Sequence, residues 1–231
     1  MKLVAMKEIS GTITLNSGLH IGAGDTEMHI GGTDNPVIKH PHSNEPYIPG
    51  SSLKGKVRAL IEMQSGLMGM TKGEPLSISS LKKLDGEDRY KCEQIIRLFG
   101  ASGADSDESL ALGPSRVSFA DCPLDDQWRA DAAAKHLALT EVKSENSINR
   151  IEGVAKNPRF TERVPAGVRF HFVVMLKCME GDEDLENLLL KGLKLLQLDA
   201  LGGSGSRGYG KVVLTFNDAD LQSRFDQMEA F

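Results

Sequence analysis

Two glycine-rich segments carry the side chains best suited to phosphate chemistry. The first is Pro49-Gly50-Ser51-Ser52-Leu53-Lys54-Gly55-Lys56-Val57-Arg58. The second is Gly202-Gly203-Ser204-Gly205-Ser206-Arg207-Gly208-Tyr209-Gly210. Glycine lets another molecule approach backbone amides closely, and hydroxyls, lysines and arginines donate well to phosphate oxygens. Two such loops, far apart in sequence, suit one phosphate-rich ligand held from two sides. Gly50, Gly55 and Lys56 stand at the GxxxxGK spacing of a nucleotide-hydrolysing loop. The hydroxyl that such a loop needs for magnesium is replaced by Val57. The apolar run Phe172 to Leu176 also leads into Lys177 rather than into an acid. These departures count against an NTPase and leave nucleic acid as the ligand class to test. In the second loop Tyr209 is placed to stack on a base and Arg207 to meet a phosphate.

Between Gly22 and Pro49 the chain is rich in Gly, Pro, Asn and Asp and has little periodicity. A loop of this length is usually functional. It contains Asp34, which reads either as a turn-former or as a carboxylate that aligns a ribose 2′-hydroxyl or holds a hydrated divalent cation. His20 reads either as a buried polar residue or as a ligand contact. His40, His42 and Cys92 match no standard zinc spacing, so no zinc is expected.

The chain has 231 residues and a net charge of -5, with 27 basic and 32 acidic side chains. Free-standing nucleic-acid binders are usually basic. Charge is uneven, however. Lys143 to Arg169 holds six bases and three acids, while acid collects at Asp105 to Glu108 and Glu180 to Glu186. This is either ordinary solvated surface or the basic face of a subunit that shares a ligand with neighbours. The three scattered cysteines form no disulfide or metal pattern, and neither a signal peptide nor a membrane span is expected. A cytoplasmic location follows.

The elements that must position these residues follow from periodicity. Strands are expected at Lys7 to Leu15, Val117 to Ala120, Val168 to Cys178 and Lys211 to Phe216. Helices are expected from Ser51 (as N-cap), over Tyr90 to Phe99, Trp128 to Leu139 and Leu185 to Leu201, and within Asp218 to Phe231. Gly69 to Asp88 reads as irregular. The core order is β-α-β-β-α-β, the ferredoxin-like pattern of an α+β fold. It forms a single domain with insertions at about 22–49, 69–110 and 141–167. The last is polar and basic, and is expected to need a partner to order it.

This order, the PGSSLKG segment opening the first helix and the glycine-rich loop before the last strand resemble the RAMP proteins of CRISPR effector complexes. Gly31-Gly32-Thr33-Asp34-Asn35-Pro36-Val37 and Pro46-Tyr47-Ile48-Pro49-Gly50-Ser51-Ser52-Leu53-Lys54-Gly55 are similar to the multi-copy backbone subunit of type III-A (Csm-type) complexes. So are Glu145-Asn146-Ser147-Ile148-Asn149-Arg150, Asn157-Pro158-Arg159 and Glu162-Arg163-Val164-Pro165. The resemblance runs from Leu15 to Val213. It implies a ferredoxin-like (RRM-like) core whose insertions form a thumb and a lid. It also implies copies stacked along a guide CRISPR RNA beside other type III subunits, with complementary target RNA cut at regular intervals. Asp34 matches the family's cutting aspartate, and a divalent cation, magnesium or manganese, is expected with it. RNA contacts are expected from His20, Ser51, Ser52, Lys54, Arg58, Arg150, Lys156, Arg159, Gly203, Gly205 and Arg207. The rival readings are a Cmr-type (III-B) backbone subunit and a scaffold that binds RNA without cutting it.

Overall fold

The computed structural model describes residues 2–24, 35–101, 112–182 and 184–231. Four strands form one antiparallel sheet: β1 (Leu3–Leu15), β2 (Val117–Phe119), β5 (Arg169–Met179) and β6 (Val212–Phe216). Their spatial order is β2-β5-β1-β6, the arrangement that two split β-α-β units produce. β1 and β5 are paired almost throughout, from Leu3 opposite Met179 to Thr14 opposite Arg169. β6 pairs only with the last third of β1, Gly11 opposite Phe216 to Leu15 opposite Val212.

Alternation decides which face is covered. Ile9, Ile13 and Leu15 of β1 and Phe170, Phe172, Val174 and Leu176 of β5 are buried on one face. Helices α1 (Gly50–Gln64) and α5 (Leu185–Leu198) lie on that face through Leu53, Val57, Ile61, Leu189, Leu193 and Leu196. Each such side chain contributes about 1.5–3 kcal/mol by leaving water. The two helices run antiparallel and close together. A Cβ on Gly192 of α5 would fall 2.5 Å from Ile61 and 2.7 Å from Val57.

Among the described residues, further α-helices are α2 (Ile78–Leu81), α3 (Gly86–Phe99), α4 (Asp126–Ala134) and α6 (Ala219–Gln227). Several boundaries differ from the sequence reading. α1 is capped by Pro49 and begins at Gly50, so Ser51 is not its N-cap. Gly69 to Asp88 is not wholly irregular: it holds α2 and the start of α3. α4 stops before Lys135, where His136 takes a left-handed backbone (φ 52) and Leu137 returns an amide to Ala132. The insertion from Glu141 is an antiparallel hairpin, β3 (Glu141–Ile148) with β4 (Ala155–Arg163). Its register is set within the chain, against the expectation that a partner must order it. The acidic stretch Asp105 to Glu108 lies outside the described residues.

The end of the sheet away from the glycine loops is tied by a buried ion pair. Arg116 donates through Nε to Asp182 Oδ2 (2.7 Å) and through Nη2 to Oδ1 (2.9 Å), and its Nη1 bonds the Leu112 carbonyl at 2.9 Å. Those bonds and charge hold the Asp182 carboxyl below its usual range. Asp182→Ala strands a buried guanidinium and is expected to cost about 3 kcal/mol in urea unfolding. Protonation of a carboxyl whose folded value is depressed favours unfolding. The pair's stabilisation is therefore full above the ordinary aspartate range and fades as pH drops below roughly 4. Asp182→Asn should flatten that acid limb, and an unchanged limb would assign the acid sensitivity elsewhere.

Candidate nucleic-acid interface

Topology brings three connections to one end of the domain. β1 runs toward that end and α1 starts there. β5 starts there, after the hairpin inserted between β2 and β5. α5, antiparallel to α1, finishes there, and the second glycine-rich loop leads into β6. The salt bridge from Lys56 to Asp199 (2.6 Å) ties the start of α1 to the end of α5. Both glycine-rich segments, the loop around Asp34 and the hairpin thus spring from a single edge.

At the first segment, the leading amide of α1 is already occupied. Gly50 donates to Asp121 Oδ1 at 2.7 Å, and Pro49 accepts from Ser52 and Leu53. Ser51 is exposed and Ser52 half-buried. Lys54 has no ion-pair partner among the described residues. Its ammonium is held below the usual lysine range, first by burial and then by the charge of Arg58. Arg58 itself turns inward. Its Nε bonds Glu62 Oε1 (2.7 Å), Nη1 the Gly100 carbonyl (2.9 Å) and Nη2 the Leu76 carbonyl (2.6 Å). Those acceptors fasten the α1–β2 connection to α1. The phosphate contact expected of Arg58 therefore does not fit this geometry, although its charge still acts on Lys54.

Asp34 lies outside the described residues, but both ends of its loop are anchored. Ile21 accepts from Ile38 (2.9 Å) and Pro36 from Ala23 (3.2 Å). Asn35, the next residue after Asp34, pairs with Thr161 of β4, and its carbonyl accepts from the Glu162 amide at 3.1 Å. Glu162 is buried and grips the returning chain: Oε2 accepts from the Val37 amide (2.9 Å) and Oε1 from Lys39 (2.6 Å). Burial raises its carboxyl, but the hydrogen bonds from Lys39, Val37 and Thr140 outweigh that and leave it low. His20 donates from Nδ1 to the Glu162 carbonyl (2.7 Å), and its own carbonyl accepts from Gly203 (2.9 Å). The Asp34 loop, the hairpin and the second glycine-rich loop therefore meet at His20 and Glu162.

The second loop needs its glycines for this approach. A Cβ on Gly202 (φ +73) would fall 2.4 Å from the His20 carbonyl, and one on Gly210 (φ +71) 1.9 Å from that of Leu201. Gly205 opens a short turn to Arg207. Arg207 is exposed, bonds Ser204, and pairs through Nε with Glu145 Oε2 (3.1 Å). Tyr209 is not free to stack on a base. It is 1% exposed, its hydroxyl donates to Glu145 Oε1 (2.9 Å), and Lys143 and Arg163 cover its ring.

The basic segment is largely neutralised within the chain. Lys143 pairs with Glu145, Lys156 with Glu152, Arg163 with Glu141 and Arg169 with Asp125. Arg150 at the hairpin turn and Arg159 on β4 are exposed and have no partner among the described residues. Beside them the hairpin end displays apolar side chains, Ile148 at 70% and Ile151 at 96% exposure.

A model of the RAMP superfamily matches residues 12–213. The CRISPR system Cms endoribonuclease Csm3 of Methanothermobacter thermautotrophicus is 41% identical over 219 residues, which is 88% of this chain and 81% of that protein. The Csm3 of Mycobacterium tuberculosis is 40% identical, covering 89% and 84%. This chain belongs to the RAMP superfamily, in its Csm3 branch. A solved Csm3–Csm4 subcomplex of the type III-A CRISPR-Cas interference complex matches the Csm3-type fold with a TM-score of 0.57 and 27% identity, covering 99% of both chains.

Some residues shape this Csm3-type edge in ways the sequence does not signal, even where, as with Glu145 and Glu162, they lie in segments that carry the resemblance. Glu162 and Glu145 are charged residues in polar strands, and Asp121 follows a short strand with no spacing to mark it. Tyr209 was legible as important but not as buried. Among the described residues no three His, Cys, Asp or Glu side chains converge as a metal site. The rings of His40 and His42 are 5.5 Å apart. Cys92 sits in the core on α3, where burial pushes its thiol up to about 11. Nor is any described helix long and apolar enough to cross a membrane.

Proposed function

We propose that this chain is a guide-RNA-binding backbone subunit of a type III-A CRISPR effector. It acts in the cytoplasm, alongside further copies of itself and other type III subunits, and cleaves target RNA paired to the guide at regular intervals. The observation that carries this reading is the joint at His20 and Glu162. There the loop of Asp34, the projecting hairpin and the second glycine-rich loop are fastened together on one edge. The curated relatives named Csm3 endoribonuclease, at 40–41% identity, favour it over a Cmr-type subunit or a silent scaffold.

Ser51, Ser52 and Lys54 hold guide phosphates at the start of α1. The helix dipole helps, while the occupied Gly50 amide leaves side chains to do most of the binding. His20, Gly203, Gly205 and Arg207 flank the RNA from the second loop. Arg150, Lys156 and Arg159 meet it from the hairpin. Asp34 orients a ribose 2′-hydroxyl toward the adjacent phosphorus. As that O–P bond forms and the bond to the 5′-oxygen breaks, the hydroxyl proton leaves and the 5′-oxygen takes one up. Glu162 is already engaged by Lys39 and Val37, and the cutting role is given to Asp34 because it matches the family's cutting aspartate. If magnesium or manganese binds beside Asp34, water and phosphate oxygens would make up most of its ligands, and it would supply charge stabilisation.

Lys54→Ala tests the binding half of the proposal. Complexes built with it should bind guide RNA more weakly, and the slope of log affinity against log salt should fall by nearly one per copy of the subunit. The folding midpoint should stay put, because Lys54 has no ion-pair partner among the described residues. An unchanged slope would remove Lys54 from the RNA path.

A further inference from the structure

The hairpin β3–β4 stands almost clear of the domain. Most of its side chains are exposed on both faces, and a two-stranded ribbon is marginally stable alone. Several of its attachments through β4 cluster near one point: Asn35 to Thr161, and Glu162 to Val37, Lys39 and His20. A ribbon fixed along one strand can still rock about that strand. Contacts from the other strand to the second glycine-rich loop remove this freedom, and the most directional of them is a hydrogen bond. Glu145 of β3, which the pairing sets opposite Arg159, accepts from the Tyr209 hydroxyl.

The tyrosine is a firm anchor. Gly208 and Gly210 on either side of it have positive φ, Gly210 donates to the Gly18 carbonyl (2.9 Å) and Leu201 donates to Gly210 (2.9 Å). The ring is clasped by one cation from each hairpin strand, Lys143 at 4.5 Å and Arg163 at 5.1 Å. Such contacts add to the hydrogen bond. We propose that Glu145 and Tyr209 form a positioning latch, which sets the angle of the hairpin against the second glycine-rich loop and so selects which target phosphate meets the cutting site. The two carboxylate oxygens divide the work. Oε1 serves Tyr209 while Oε2 faces Arg207, so Arg207 can turn to a phosphate without opening the latch. Burial raises the Glu145 carboxyl, but the bonds from Tyr209 and Lys143 and the charge of Arg207 prevail and keep it low, hence ionised and accepting.

The selection of the cut site rests on the proposed RNA cleavage, whereas the latch itself does not. Tyr209→Phe keeps the ring and both cation contacts and removes only the hydroxyl. In the RNA-free subunit it should speed hydrogen exchange of the hairpin amides about tenfold and leave β1, β5 and β6 unchanged. Glu145→Ala, which also releases Lys143 and Arg207, should speed exchange at least as much, and adding Tyr209→Phe to it should change nothing further, as expected of two residues acting through one contact. Hairpin exchange at the wild-type rate, or additive effects, would overturn the latch. In the assembled complex Tyr209→Phe should keep guide affinity within about twofold yet spread cuts onto neighbouring phosphates, lowering the main product's share at least threefold. Faster exchange with an unchanged cut pattern would overturn the positioning role. If the wild-type complex does not cut RNA, the functional proposal fails while the exchange comparison still decides the latch.

Discussion

Complexes assembled wholly from Asp34→Ala subunits should cut target RNA at least about 100-fold more slowly than wild type, the scale of a lost acid–base or metal-aligning group. Guide and target binding should change by less than about threefold, since the change removes no cation from the phosphate path. Single-turnover cleavage and filter binding on the same preparations separate the two effects. Asp34→Asn keeps the size and turn-forming capacity of the side chain and should be as inactive as alanine. Its recovery of cutting would reduce Asp34 to a turn-former. EDTA should stop the wild-type reaction, and full activity in EDTA would exclude the divalent-cation version of the mechanism.

Shortening the hairpin turn is the second change with a large expected effect. The turn is built locally. Asn149 donates to the Val154 carbonyl and accepts from Gly153, and its Oδ1 takes the amides of Ile151 and Glu152. Replacing residues 149–154 by Asn-Gly leaves Ile148 and Ala155 joined by a turn suited to antiparallel strands. The core is untouched, so the midpoint of thermal unfolding should move by only a few degrees. What is lost is the exposed Ile151 and Arg150, together with Glu152 and its pairing to Lys156. If these wedge into the guide–target duplex, their removal should cut the yield at regular intervals about tenfold, the scale of one base-stacking contact. Guide binding should fall less than threefold. A regular ladder from the shortened protein would show that the turn does not set the interval.

The hairpin also shows where sequence reasoning stops. Residues 141–167 read as polar, basic and in need of a partner. The ladder from Glu141 opposite Arg163 to Ile148 opposite Ala155 orders them. The basic count was correct, but four of its six charges are paired within the chain. A charge count cannot register such pairing, because it depends on which strand faces which.

The sequence by itself determined the order and type of the core elements, because period-2 and period-3.6 apolar patterns report directly on which face is buried. Ile9, Ile13 and Leu15, the alternation through Phe170, Phe172 and Val174, and Leu189, Leu193, Leu195 and Leu196 of α5 lie in the core as read, whereas Leu198 at the end of that stripe is exposed. It also marked both glycine-rich loops, since close backbone approach requires glycine whatever lies opposite. Only the tertiary structure decided what each polar side chain does there. Arg58 and Lys54 are one helical turn apart and look alike in sequence, yet Arg58 braces Leu76 and Gly100 while Lys54 has no such partner among the described residues. Tyr209 looks like a stacking residue and is buried beneath the hairpin against Glu145. Hydrogen bonding is directional and these partners are up to 64 residues apart, so no local pattern encodes the choice.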